Sequence, residues 1–172
     1  MTAANVDDEW IGTDAKTLIE THTECPVIVL NDGDAAGIAE MKFGAGKDRD
    51  GLVIILTLGT GIGSAFFMNG ELIPNTEFGH LKIRGKDAED RASDRIRQEK
   101  DYSWSKWGKK LSEYFQYVEF LFTPDLFIIG GGVSKKYEKY FPYIVCDTEI
   151  VPAQLRNDAG IVGAAMAAKH LK

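Results

Sequence analysis

Gly51-Leu52-Val53-Ile54-Ile55-Leu56-Thr57-Leu58-Gly59-Thr60-Gly61-Ile62-Gly63-Ser64-Ala65-Phe66-Phe67-Met68-Asn69-Gly70-Glu71-Leu72-Ile73 is the stretch on which the fold turns. Its opening, 51–58, is a continuous apolar run of strand length, the pattern of a strand buried on both faces. A glycine-rich turn follows at 59–63. Ala65-Phe66-Phe67-Met68 and Glu71-Leu72-Ile73 then flank Asn69-Gly70, a two-residue hairpin signal. Upstream, Thr13-Asp14 caps a helix expected over 14–21, and Pro26 leads into Val27-Ile28-Val29-Leu30, read as a second buried strand. Asn31-Asp32-Gly33-Asp34 ends that run, and 35–43 reads as a helix capped by one of the aspartates. Downstream, apolar residues at 104, 107, 111, 115, 118, 121 and 122 have amphipathic helical spacing, stopped by Pro124. Leu126-Phe127-Ile128-Ile129 is a third buried strand running into Gly130-Gly131-Gly132, with a helix expected over 134–140. The alanine-rich tail over 157–171 is also helix-prone. Hairpins mixed with strand–helix units give an α/β fold with a mixed sheet, in one domain without linker or repeat.

Composition narrows the function classes. Hydrophobic residues make up 44% and charged residues 27%, so the chain is globular rather than disordered. A formal charge of −6 argues against nucleic acid as a partner, since its binders concentrate basic residues on one face. No apolar run is long enough to span a membrane, and 1–13 reads as irregular, without a secretory signal. Cys25 and Cys146 are the two cysteines, in no metal or redox spacing, which suits a reducing cytoplasm.

Several short motifs could do chemistry, and each has a plain alternative. Asp32, at the end of a strand, could take the proton of a sugar hydroxyl while Asn31 orients the sugar; equally, the pair could only shape a turn. Gly59, Thr60 and Gly61 could cradle phosphate with their amides, with the Thr60 and Ser64 hydroxyls adding donors. The turn has neither a P-loop lysine nor a following helix, so a bare connection is the other reading. Glu77 and His80, three apart, could grip two sugar hydroxyls or share a metal, but two ligands are too few for structural zinc. Gly130, Gly131 and Gly132 could present amides to phosphate oxygens, or serve as a packing turn. Trp104, Trp107 and Phe115 read as core. Lys106, Lys109 and Lys110, with Arg91, Arg95 and Arg97 upstream, could meet a long polyanion or form a solvated basic face.

In order along the chain, Asn31-Asp32-Gly33-Asp34-Ala35-Ala36-Gly37, Leu56 to Ser64, Ile73-Pro74-Asn75-Thr76-Glu77-Phe78-Gly79-His80 and Asp125 to Gly132 resemble the ROK family of sugar kinases. Within it the likeness is to the polyphosphate glucokinase subgroup, which Thr2 to Val6 and Trp10-Ile11-Gly12-Thr13 also match. The resemblance implies an actin-like, ribonuclease-H-like fold of two lobes around a cleft. It implies Asp32 as general base for the glucose 6-hydroxyl, with Asn31, Glu77, His80 and Gly59 at the sugar. Thr60, Gly61 and Gly130 to Gly132 would then lie at the phosphates of polyphosphate or ATP, with Mg2+ accompanying the donor. A cytoplasmic homodimer is the associated expectation.

The sequence departs from the family's pattern in two respects. Residues 81–101 hold no cysteine where most ROK members carry a zinc motif, so zinc is not expected. The opening Asp-x-Gly-Gly-Thr hairpin that binds donor phosphates is not in this sequence. The chain therefore reads as mainly the C-terminal lobe, with negligible kinase activity expected of these 172 residues alone. A non-catalytic sugar-binding or oligomerisation module is the rival, weakened by the presence of Asp32, Glu77 and His80. A ROK-type transcriptional regulator would need a basic DNA reader, which this acidic chain does not show.

Overall fold

The structure is a computed structural model that describes residues 8–155, 158–169 and 171. The family-like segment Thr2 to Val6 and the first seven residues of the irregular stretch lie outside the described residues. Its centre is a five-stranded mixed sheet of β1 (Leu52–Leu58), β2 (Ile62–Met68), β3 (Glu71–Ile73), β6 (Leu126–Gly130) and β7 (Glu149–Pro152). The spatial order is β3-β2-β1-β6-β7. The first three strands pair antiparallel, and β6 and β7 join in parallel. The Asn69-Gly70 hairpin forms as expected, both residues at positive φ (51° and 82°), as a two-residue turn between right-twisted strands requires. Two further short strands, β4 (Lys82–Ile83) and β5 (Lys86–Asp87), make a separate ribbon.

Helices cover both faces of the sheet, so alternate strand residues feed two cores. Val53, Ile55, Ala65, Phe67, Leu126 and Ile128 point to one side, where Ile38 and Met41 of α2 (Asp32–Phe43) pack. Outside α2 lies α6 (Ala159–Ala168), and the approach is close: a Cβ on Gly163 would lie 2.5 Å from the Ala35 carbonyl carbon. Ile54, Leu56, Leu58, Phe66, Phe127 and Ile129 point the other way, onto Trp107, Leu111, Phe115 and Val118 of α5 (Trp104–Phe122). Ser103 caps α5 through Lys106 N–H (3.2 Å), and Thr123 ends it in a left-handed conformation, one residue before Pro124. The aromatic stripe is core, as its spacing implied: Trp107 is buried and donates its indole N–H to Ala92 O (2.9 Å). Leu121, counted on the buried face by its spacing, is instead substantially exposed.

Four local expectations change. Val27 to Leu30 forms no strand: among the described residues no neighbour supplies a ladder, and Ile28 stays 41% exposed. An apolar β-branched run favours extended backbone, but a strand also needs a partner edge. The following helix α2 is capped by Asn31 rather than an aspartate, with Asp32 and Asp34 in its first turn. Residues 132–139 form a 3-10 helix with a kink at Lys136, not an α-helix. The stretch 85–101 is dense in Asp, Glu, Lys and Arg, a pattern that reads as a solvated helix or loop, yet it is only partly solvated. It contains β5, α3 (Glu89–Ala92) and α4 (Asp94–Glu99), which bury Ala88, Ala92 and Ile96. Helix α1 (Ala15–Thr23) starts where expected, Asp14 accepting Thr17 N–H at 3.1 Å.

Candidate active site

The N-terminus of α2 fixes the first group of side chains. Asn31 is extended (φ −63°, ψ 141°), and its Oδ1 accepts the N–H groups of Gly33 (2.8 Å) and Asp34 (3.4 Å). Such a cap contributes about 1 kcal/mol and pins the amide. Its Nδ2 is thereby turned toward Glu77, donating to Oε1 at 3.4 Å. Asp32 is exposed in the first helical turn, where the helix dipole favours a negative charge. Its Oδ1 accepts Gly33 N–H (2.8 Å), and Oδ2 has no hydrogen-bond partner among the described residues.

Glu77 and His80 arrive on the segment 74–80, which is tied down from behind. Asp34, only 2% exposed, accepts Asn75 N–H through Oδ2 at 3.0 Å, while its Oδ1 is buried without a partner. Burial pushes the Asp34 carboxyl above the usual range; the Asn75 bond opposes this, and the charges of Glu77 and Asp32 add to it. Ser64 is buried and fully used: its hydroxyl donates to Thr76 O (2.8 Å) and accepts Phe78 N–H (3.0 Å). It is therefore a clamp on this segment and not the phosphate donor that its place in the turn implied. Glu77 precedes a 3-10 turn, Phe78–His80. His80 Nδ1 lies 3.3 Å from Asp87 Oδ2, which orients the ring and leaves Nε2 as the free nitrogen. Lys82 also bonds Asp87 and is the main reason its carboxyl lies below the usual range, with His80 second.

The two glycine turns adjoin each other. Gly131 has φ 84° and ψ 169°, and a Cβ there would lie 2.8 Å from both N and C of Leu58. Only glycine tolerates that backbone and that approach. Gly59 is different, since neither its φ nor any nearby atom forbids a side chain. A side chain at 59 would instead project into open space. Gly59 N–H bonds Gly61 O (3.0 Å), and Arg95 holds the turn from outside through Gly59 O (3.1 Å) and Thr60 O (3.0 Å). The amides of Thr60 and Gly61 have no partner among the described residues. Glu89 accepts Ile62 N–H at 3.2 Å from beneath.

These parts surround one cavity of about 1030 Å3. Asn31, Asp32, Gly59, Thr60, Gly61, Glu77, His80 and Gly131 line it; Gly130 and Gly132 do not. Gly130 lies within β6 beside Thr57, and Gly132 opens the 3-10 helix just beyond. Glu89 also lines the cavity, as do Trp10 and Ile11, none of which the motif reading placed there. No local signal singled out Glu89, which sits among Asp87, Asp90, Arg91 and Asp94 in a run of charges. Among the described residues no three His, Cys, Asp or Glu side chains cluster as a metal cage. The arrangement offers carboxylates, an amide and an imidazole on one side, and free backbone N–H groups on the other. It suits a polyhydroxyl compound beside an anion.

Comparison with known proteins agrees with that arrangement. The polyphosphate glucokinase of Mycobacterium tuberculosis (strain ATCC 25618 / H37Rv) is 53% identical over 167 residues, spanning 96% of this chain and 63% of the relative. That of Mycobacterium leprae (strain TN) is 51% identical, over 96% of this chain and 52% of the relative. The chain thus spans less than two thirds of the length of these two relatives. The crystal structure of an inorganic polyphosphate/ATP-glucomannokinase from Arthrobacter sp. strain KM superposes with a TM-score of 0.93 at 52% identity, covering 96% of this chain and 66% of that one. A ROK family glucokinase from Streptomyces griseus, in complex with glucose and AMPPNP, shares the fold (TM-score 0.75, 23% identity, 88% of this chain and 71% of that one). The ROK family model matches residues 2–93, a span that holds Asn31, Asp32, the 59–63 turn, Glu77, His80 and Glu89. With just over half of its 172 residues so matched, and with the mixed sheet of the actin-like ATPase fold, the chain belongs to the ROK family.

Proposed function

We propose that this chain forms the acceptor side of a kinase that transfers a phosphoryl group from polyphosphate or ATP to O6 of glucose. The observation that carries the reading is the gathering of Asn31, Asp32, Glu77 and His80 around the same cavity as the glycine turns. Asp32 Oδ2 takes the O6 proton as that oxygen attacks the terminal phosphorus. The bridging P–O bond breaks, and the shortened polyphosphate or ADP leaves with the bonding pair. Asn31 Nδ2, Glu77 and His80 Nε2 hold ring hydroxyls and fix the attack line, and Glu89 lies within reach of the same sugar. The Thr60 and Gly61 amides stabilise charge on the phosphoryl oxygens.

Mg2+ fits this donor set as a passenger on the phosphates rather than as a resident of a protein cage. It keeps several waters and needs one or two carboxylates, and Glu89, which lines the same cavity, can supply one while Asp32 serves as base. Its chemistry there is neutralisation of phosphoryl oxygens. A cytoplasmic homodimer belongs to the same reading. The exposed α5 face with Phe120 (82% exposed), Tyr117 and Leu121 supports association, and the exposed thiol of Cys25 suits a reducing compartment.

Two measurements test the assignment. Calorimetry should show glucose binding to the wild-type chain that is weakened at least about tenfold by Asp32→Ala, the loss of a charge-assisted hydrogen bond. Equal binding by both proteins would refute the role of Asp32. A coupled glucose-6-phosphate assay on these residues alone should show negligible turnover, because the sequence lacks the Asp-x-Gly-Gly-Thr hairpin. Normal turnover would overturn the division of labour.

A further inference from the structure

Beyond the cavity, positive charge gathers around aromatic rings on a chain that is acidic as a whole. The Arg97 guanidinium lies 4.2 Å from the centre of the Trp104 ring, and the ammonium groups of Lys139 and Lys136 lie 5.7 and 5.9 Å from it. Three cations thus converge on one part-buried indole, within the range of cation–π attraction. Asp94 neutralises Arg97 (2.7 Å), but neither lysine is paired with a carboxylate among the described residues, and both are exposed. Lys106 and Lys110 gather separately around Tyr102 (4.3 and 5.2 Å), and Arg91 is bound to Glu113. Unpaired positive charge therefore stands beside Trp104 as well as around Tyr102, on a chain whose formal charge is −6, and the Trp104 cluster is the one that two elements tie to the cavity.

This cluster is joined to the cavity by two elements. The 3-10 helix Gly132–Lys139 starts at the residue after cavity-lining Gly131 and carries Lys136 and Lys139 away from it. At about 2 Å of rise per residue, Lys136 lies roughly 8 Å from the start of that helix, at its kink, and Lys139 follows three residues beyond the kink. Helix α4 is fastened to the glycine turn by Arg95 N–H to Gly59 O and delivers Arg97 two residues later. An anion whose end sits at Thr60 and Gly61 meets these cations only if it continues as a chain of repeating charges. A nucleoside triphosphate cannot do so, because past its third phosphate it presents an uncharged sugar and base.

We propose that Lys136 and Lys139, gathered with Arg97 around Trp104, form a distal site for the trailing phosphates of a linear inorganic polyphosphate. The inference rests on the cavity being where such a chain is held at its end. On binding, the ammonium groups leave the indole face for phosphate oxygens. Trp104 remains as a rigid floor, stacked on the buried ring of Tyr140 (6.1 Å, 20°).

The test compares the wild-type chain with Lys136→Ala/Lys139→Ala by calorimetry, using long-chain polyphosphate, tripolyphosphate and glucose at several salt concentrations. Both positions are exposed, so melting temperature should be unchanged. The double variant should bind long-chain polyphosphate about tenfold or more weakly, with its log–log salt slope reduced by about one to two, one for each lost contact. Its binding of tripolyphosphate and of glucose should match wild type. Equal affinity of the two proteins for the long chain overturns the site, as does failure of wild type to bind it at low salt. A single-stranded oligonucleotide showing the same loss would make the patch a general polyanion surface and overturn the assignment to polyphosphate. Should glucose fail to bind while the long-chain loss is seen, the cavity reading fails and the distal site stands.

Discussion

Gly131 and Gly132 are adjacent, chemically identical, and expected to respond oppositely to alanine. At Gly131 the backbone occupies φ 84°, ψ 169°, a region nearly restricted to glycine that costs other residues about 1–3 kcal/mol. An added Cβ would also lie 2.8 Å from Leu58 N and C, an overlap that costs a further 1–3 kcal/mol or so. Gly131→Ala should therefore lose about 2–6 kcal/mol, and at about 2–4 °C per kcal/mol its melting temperature should fall by roughly 4–24 °C. At Gly132 no atom lies within 4 Å of an added Cβ, and its φ is not positive. Gly132→Ala should be neutral, or stabilising by up to about 1 kcal/mol through the unfolded state. Thermal unfolding followed by far-UV circular dichroism reads both. Tripolyphosphate affinity, measured well below the melting temperature, should fall only for Gly131→Ala, since relief of the clash separates the two glycine turns. If the variants melt within a degree or so of one another, the close approach of Gly131 to Leu58 is wrong.

Three further outcomes follow from buried or orienting carboxylates. Glu40, 1% exposed, accepts N–H groups from Ala45 (3.0 Å), Gln154 (3.1 Å) and Leu155 (2.7 Å), joining the end of α2 to the segment after β7. Glu40→Gln turns an NH2 toward at least one of those donors, and denaturant unfolding should show a loss of about 2–4 kcal/mol. Asp34 has its carboxyl raised chiefly by burial, so its ionisation costs the folded state: stability is fully present below the ordinary carboxyl range and declines as pH rises through the raised value. Asp34→Asn should thus match wild type in acid and gain relative to it toward neutral pH, read from melting temperatures across a pH series. Asp87→Asn should weaken glucose binding several-fold by releasing the His80 ring, while leaving the melting temperature nearly unchanged because the pair is open to solvent. Calorimetry and melting on the same sample separate the two effects.

What the sequence disclosed was local, and what it withheld was long-range. Strands 52–58 and 126–130, the Asn69-Gly70 hairpin and helix α5 announce themselves by composition and period, because their burial is decided within each segment. Val27 to Leu30 has the same composition yet forms no strand, since a ladder depends on a partner edge and the described residues offer none. The Asn31 cap was misassigned because three neighbouring residues could each cap a helix, and only the extended backbone at 31 decides among them. Ser64 looked like a ligand donor from its place in a glycine turn, but Thr76 and Phe78, brought in by the hairpin, use up its hydroxyl. Glu89 was hidden in a run of charges. Eight of the ten named site residues do line one cavity, a convergence that follows from sheet order and lies beyond any single motif.

The central claim is that glucose sits against Asn31, Asp32, Glu77 and His80, and amide NMR of the isotope-labelled chain titrated with glucose tests it most directly. Saturable shifts should be confined to residues 31–34, 59–63, 77–80 and 89, with little change at Trp104 or along the exposed face of α5. Shifts elsewhere on the fold, or none at glucose concentrations that saturate ordinary sugar sites, would contradict it.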